Sequence, residues 1–74
     1  MGRRSIFGSK EDGYRVQGVL TKEGGRRFEQ ARRALAKLVA EVTGRTPVGI
    51  SDADAIEALA RGEDETRRYL RRRP

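Results

Sequence analysis

The residues of this chain that could bind another molecule are mostly arginines. The sequence has 14 arginines and 3 lysines against 11 acidic residues, a formal net charge of +6 at pH 7. Arginine forms forked hydrogen bonds to phosphate oxygens and to guanine edges. Charge of one sign at this density favours a polyanionic partner, although it also fits a solvated surface. Nucleic acid is therefore the first partner that the composition indicates.

Catalytic and metal chemistry have little support in the residue types. Cysteine and histidine are both absent, which excludes a disulfide framework, a Cys/His zinc site, a thiol nucleophile and a Ser-His-Asp triad. The acidic residues stand mainly at helix starts and at ion-pair spacing, so no acid–base pair stands out. We expect no enzymatic activity, no cofactor and no metal ion.

Membrane insertion is not indicated either. The purely apolar stretches are only a few residues long, whereas a spanning helix needs ~20. Arg3 and Arg4 precede Ile6 and Phe7 as in a twin-arginine signal, but no apolar region follows them. We expect one small domain in the cytoplasm.

The first 21 residues contain an arm and then a strand-like run. Residues 1–13 combine three glycines with mixed charges and no sustained periodicity, which is typical of a flexible arm. Residues 15–21 alternate as a strand does. One face would carry Val16, Gly18 and Leu20, and the other Arg15, Gln17, Val19 and Thr21. A lone strand is unstable in water, so this one is expected to pair with a second copy or a partner.

From Lys22 the pattern predicts an amphipathic helix of about 20 residues. Its apolar positions have helical spacing and are Phe28, Ala31, Leu35, Leu38 and Val42. Thr21 is the predicted N-cap, and Gly44 is placed to end the helix in a left-handed conformation. Gly24 and Gly25 mark either a frayed start or a close approach of the backbone to another chain or ligand.

A second helix is predicted by the capping box Ser51-Asp52-Ala53-Asp54. Its buried stripe would contain Ile56, Leu59 and Ala60. Residues 63–70 place acids before arginines at i,i+4 spacing, which favours more helix. The helix either continues through Gly62 with a kink or breaks there. The predicted organisation is an arm at 1–13, a domain at 14–62 and a helical extension with a basic tail at 63–74.

This order of elements over residues 15–61 resembles the ribbon-helix-helix DNA-binding proteins of the Arc/MetJ/CopG type. The resemblance is carried by R-V-Q-G-V-L-T at 15–21, by Phe28 and Leu35, and by G-I-S-D-A-D-A-I-E-A-L at 49–59. It implies a mostly α fold with one short β-strand, in an intertwined homodimer whose strands form an antiparallel ribbon in the DNA major groove. The implied dimer core is Val16, Leu20, Phe28, Leu35, Leu38, Ile56 and Leu59.

The resemblance also implies which residues contact DNA. Base edges would be read by Arg15, Gln17 and Val19. Backbone amides at Ser51, Asp52 and Ala53 would hold a phosphate, although Asp52 and Asp54 bring negative charge there. Charge and position, apart from the resemblance, predict further phosphate contacts from Arg26 and Arg27. Arg3 and Arg4 either reach phosphates or a minor groove or belong to a disordered end. The tail Arg71, Arg72 and Arg73 would add non-specific affinity.

The function expected from these features is transcriptional repression by a homodimer bound to a palindromic operator in double-stranded DNA, with several dimers side by side. Two alternatives stay open. One is an antitoxin that binds a toxin protein through residues 63–74 and regulates its own gene. The other is a plasmid accessory protein that bends or marks DNA for transfer or partition.

Overall fold

The computed structural model describes residues 6–8, 13–47 and 49–72. This part of the chain contains three α-helices: α1 at Lys22–Thr43, α2 at Asp52–Arg61 and α3 at Glu63–Arg72. Each helix packs against the other two. No residue within the described ranges lies in a β-strand. The regular secondary structure of the described part is therefore entirely α-helical.

The predicted β-ribbon, and with it the ribbon-helix-helix homodimer fold, is wrong. Residues 13–21 have no regular secondary structure and are exposed throughout. Val19 is 100% exposed, and Val16 and Leu20, which were expected on a buried face, are 61% and 58% exposed. A strand needs both a neighbour for its backbone groups and a packed face, and the described residues supply neither. A ribbon-helix-helix fold cannot form without that strand.

The predicted start and end of α1 are confirmed. The Thr21 side chain accepts a hydrogen bond from the Gly24 amide at 3.0 Å. Gly44 has a φ of 74°, and its amide donates to the Ala40 carbonyl at 2.9 Å. Gly24 has a packing role, because a Cβ there would lie 3.2 Å from Thr21 Oγ1 and 3.4 Å from Leu20 Cβ. The close approach at Gly24 is thus to the helix cap of its own chain.

The chain breaks at Gly62 rather than continuing through it as one kinked helix. Gly62 has φ 85° and ψ 163°, a backbone region essentially restricted to glycine. Its amide donates to the Ala58 carbonyl at 2.9 Å, and its carbonyl accepts from the Thr66 amide at 3.0 Å. The hydrogen bonds therefore link α2 and α3 closely while the backbone leaves helical geometry for one residue.

The hydrophobic core draws on all three helices and on the arm. Its buried members among the described residues are Ile6, Phe7, Leu35, Leu38, Val39, Ile50, Ala55 and Leu70. Ile6 and Phe7 are each 8% exposed, although their composition is typical of a flexible arm. The Ile6 amide donates to Asp54 Oδ2 at 3.3 Å, and the Phe7 ring lies 5.3 Å from the Tyr69 ring. The arm therefore contributes to the core at these two positions.

The side chains predicted for a dimer core divide into buried and exposed groups within the chain. Leu35 and Leu38 are buried, Phe28 packs against the core and Ile56 is half-buried. The exposed group consists of Val16, Leu20 and Leu59. Val16 and Leu20 belong to the segment without a strand, and Leu59 lies beside a groove that is described below.

Thr66→Val is expected to raise the free energy of unfolding by up to ~1 kcal/mol. Thr66 is 1% exposed, and its hydroxyl has no hydrogen-bond partner within the described part of the chain. Valine keeps the shape and removes the desolvated hydroxyl. The control is Thr43→Val, which removes a 2.7 Å hydrogen bond to the Val39 carbonyl and should be mildly destabilising. Urea denaturation followed by circular dichroism measures both. Equal destabilisation by the two variants would contradict the prediction.

Candidate nucleic-acid interface

The outer surface of α1 carries a row of basic side chains. Lys22, Arg26 and Arg33 are separated by four and seven residues, a spacing that places them on one side of a helix. All three are exposed. At a rise of 1.5 Å per residue they extend over about 17 Å. We call these three residues the basic face.

The acidic side chains of α1 are neutralised by arginines outside the basic face. Glu23 pairs with Arg27 at 2.9 Å and Glu29 pairs with Arg32 at 3.2 Å. Glu41 pairs with an arginine of α3, Arg67, at 3.1 Å. Each acid on this helix therefore has a cationic partner. The cations of the basic face have no ion pair within the described residues.

Arg32 links α1 to the start of α2. Its guanidinium donates to the Ile50 carbonyl and to Asp52, and it lies 5.2 Å from the centre of the Phe28 ring. The hydrogen bond to Asp52 and then that to Glu29 raise the pKa of Arg32 above its ordinary value. Arg32 therefore remains charged and fixes the position of the segment that begins α2.

The predicted phosphate clamp at the start of α2 has the expected helix cap. The Ser51 hydroxyl accepts a hydrogen bond from the Asp54 amide at 3.1 Å, and Asp52 and Ala53 are exposed. Asp52 is paired with Arg32, and Asp54 is 3% exposed and accepts the Ile6 amide. The two carboxylates that would repel a phosphate are thus both turned toward partners in the chain.

The predicted base-reading residues lie on the irregular segment immediately before α1. Arg15, Gln17 and Val19 are all exposed. Their assignment to base edges depended on a ribbon that would hold them in register, and the described residues contain no ribbon. Only their closeness in sequence to Lys22 of the basic face still connects them with a nucleic acid.

The arginines predicted to contact phosphate differ in whether acidic side chains of the same chain already bind them. Arg26 belongs to the basic face. Arg27 hydrogen-bonds Glu23 through two of its nitrogens, at 3.1 and 2.9 Å. Arg3 and Arg4 lie outside the described residues, as does Arg73 of the basic tail, while Arg71 and Arg72 are exposed at the end of α3. Among the predicted phosphate-contacting side chains, Arg26 is thus placed best.

Sequence reasoning missed the role of Arg61. Its guanidinium lies 4.9 Å from the Phe7 ring centre and 4.8 Å from that of Tyr69, and it pairs with Glu57 at 2.9 Å. The Glu57–Arg61 pair has i,i+4 spacing that is visible in the sequence. The aromatic partners come from distant positions, so no local signal indicates them. Arg61 is therefore a structural residue rather than a free phosphate ligand.

Within the described ranges, no cluster of three or more metal-ligating side chains is present. None of the three helices has the length and apolar character required to cross a membrane.

Comparison with models of protein families, with curated proteins and with solved structures finds no match to this chain. The class of this protein is therefore inferred only from its fold and from the distribution of its charges. The described chain is a small helical protein whose longest helix carries a basic outer face.

Proposed function

We propose that this protein binds double-stranded DNA through the basic face and acts in the cytoplasm as a transcriptional repressor. The observation that carries the proposal is the pairing of charges on α1. Glu29 lies on the same side as the basic face and is neutralised by Arg32. The acids of α1 are paired with arginines of the same chain, whereas Lys22, Arg26 and Arg33 are exposed without an acidic partner in the described part. The β-ribbon has no place in this proposal.

The basic face is long enough for its three cations to reach separate phosphates of one DNA strand. It extends over about 17 Å, and each nucleotide of a strand carries one negative charge. Lys22 lies in the first turn of α1, where the helix dipole makes a cation unfavourable. Its charge is therefore better explained by an external anion than by stabilisation of its own helix.

Sequence preference is proposed to come from the segment before α1. Arg15 and Gln17 are exposed and lie close in sequence to Lys22. A guanidinium bonds guanine O6 and N7, and a carboxamide bonds adenine N6 and N7. A protein that occupies a promoter through such contacts represses by excluding polymerase. A plasmid accessory protein would use the same phosphate contacts with weaker preference for sequence, and selection of bound DNA from a random pool separates the two.

The antitoxin alternative has less support from α3. Within the proposed toxin-binding segment, Thr66 and Leu70 are 1% and 3% exposed because they pack inside their own chain. Arg67 and Arg68 are engaged by acids of the same chain. The exposed side chains of α3 are therefore all charged, and its apolar Leu70 is already buried within the chain.

The test compares two variants that remove the same number of arginines. Arg26→Ala/Arg33→Ala removes two cations of the basic face, and Arg27→Ala/Arg68→Ala removes two paired arginines. The first is expected to weaken binding to a duplex roughly tenfold at moderate salt and to reduce the slope of log K against log salt by about 1.8. The control variant should keep most of the salt slope of the wild-type protein. Fluorescence anisotropy over a salt series measures both.

Because net charge changes equally in the two variants, a general loss of attraction affects them alike. Equal losses of affinity and of salt slope would show that the basic face does not contact DNA. Wild-type protein without measurable affinity for any duplex at low salt would refute the proposed function.

A further inference from the structure

An open apolar groove of about 340 Å³ lies between α1 and the α2–α3 pair. Its apolar and small lining residues are Ala31, Ala34, Leu35, Leu38, Ala58, Leu59, Gly62 and Thr66. Leu59 is 56% exposed, whereas Leu35 and Leu38 beneath it are buried. The alanines and the glycine leave room for another helix to approach. The groove is therefore an incompletely covered part of the core.

The rim of the groove carries charges of both signs. Lys37 is exposed and has no acidic partner among the described residues, since Glu41, one turn further along α1, pairs with Arg67. Arg67 lies 3.1 Å from Glu41 and 3.3 Å from Glu63. Two carboxylates thus share one guanidinium, and this acidic cluster has one excess negative charge. Lys37 supplies an equal positive charge on the same rim.

A surface with one unpaired positive and one excess negative charge is complementary to itself. In a two-fold dimer, a contact between the positive feature of one copy and the negative feature of the second is repeated in reverse, so both charges are matched at once. A strongly acidic or strongly basic partner would meet repulsion from one of the two charges. A chain of this size also buries a small share of its surface alone, and association is a common way to complete such a core.

We infer that a second copy of this chain occupies the groove about a two-fold axis. Lys37 of each copy faces the Glu41–Arg67–Glu63 cluster of the other, and Leu59 of each copy covers the apolar lining of the other. The contact is between helices, and it differs in this respect from a β-ribbon dimer. It does not depend on DNA binding, since the basic face is made of other residues.

The first test measures self-association of the full chain by sedimentation equilibrium without DNA. The wild-type protein is expected to approach twice its 8.3 kDa mass at micromolar concentration. Lys37→Glu should weaken the dimer at least tenfold, because it places a third carboxylate against the cluster of the other copy. Lys22→Glu is the matched control, since it makes the same charge change on α1 away from the groove, and it should leave the association constant unchanged.

The second test mixes Lys37→Glu with Glu63→Lys. Each variant alone brings like charges together at both contacts of its own dimer, so both should be largely monomeric. In the mixed dimer both contacts are again between opposite charges, and association should recover to near the wild-type level. This recovery separates a lost contact from misfolding, and circular dichroism confirms the helices of each variant.

Three results would overturn the inference. They are a wild-type chain that stays monomeric at several hundred micromolar, equal effects of Lys37→Glu and Lys22→Glu, and two folded variants that fail to associate when mixed. Loss of the dimer together with intact DNA binding would leave the proposed function standing. An intact dimer without DNA affinity would remove only the proposed function.

Discussion

Phe7→Ala is expected to lower the free energy of unfolding by roughly 3 kcal/mol. The ring is 8% exposed and lies between the Tyr69 ring, at 5.3 Å, and the Arg61 guanidinium, at 4.9 Å. Truncation removes its apolar burial, leaves a cavity and takes away one aromatic face from Arg61. Domains commonly unfold at 5–15 kcal/mol, so the loss is a large fraction of the total. Urea denaturation followed by circular dichroism measures it.

Tyr14→Ala is the matched control for Phe7→Ala. Both positions carry an aromatic residue ahead of α1, but Tyr14 is 94% exposed. Its removal is expected to change the free energy of unfolding by no more than ~0.5 kcal/mol. If the two variants have the same denaturation midpoint, the segment that contains Phe7 does not belong to the folded core in solution.

The helices could be predicted from the sequence because their signals are local. The caps at Thr21 and Ser51 each act over three residues, and Gly44 closes α1 by a bond to a residue four positions away. Such contacts form within one turn and depend little on the rest of the molecule. The amphipathic spacing of Leu35 and Leu38 likewise fixed the side of α1 that enters the core.

The two errors about the N-terminal region have a non-local cause. Alternation of apolar and polar side chains over residues 15–21 produces a strand only where a neighbouring strand can pair with it. Without such a neighbour, the same residues form an exposed segment. Ile6 and Phe7 are two apolar residues followed by a glycine, a pattern without period. Their burial depends on Asp54, 48 positions away, and on Tyr69. No window of adjacent residues contains that information.

The candidate site was predictable in composition but not in arrangement. The spacing of Lys22, Arg26 and Arg33 can be read directly from the sequence. The sequence does not show which arginines are neutralised by acids. Arg32 pairs with Asp52, 20 positions away, and Arg67 pairs with Glu41, 26 positions away. The cations of α1 that stay exposed without an acidic partner among the described residues are Lys37 and the three of the basic face. The long-range pairs depend on how the helices pack.

The contact between Arg32 and the start of α2 is expected to be the costliest ion-pair site to remove. Arg32→Ala should lower the free energy of unfolding by roughly 2 kcal/mol. Its side chain is 24% exposed, and it bonds the Ile50 carbonyl, Asp52 and Glu29. Removal leaves two carboxylates without this partner, frees the Ile50 carbonyl and uncovers the Phe28 ring. Urea denaturation at low and high salt measures the loss, and only its ionic part should shrink with salt.

Arg27→Ala is the control, because Arg27 makes one pair, with Glu23, in which both side chains are more than 70% exposed. Exposed pairs of this kind contribute little, so a change within ~0.5 kcal/mol is expected. Arg32→Lys keeps the charge without the planar fork and should recover only part of the stability. The raised pKa of Arg32 means that its contribution is complete below its ordinary pKa and is lost only as pH rises through the raised value. If Arg32→Ala and Arg27→Ala have equal small effects, the contacts of Arg32 do not hold α2 in place, and buried residues such as Ile50 and Ala55 do so without them.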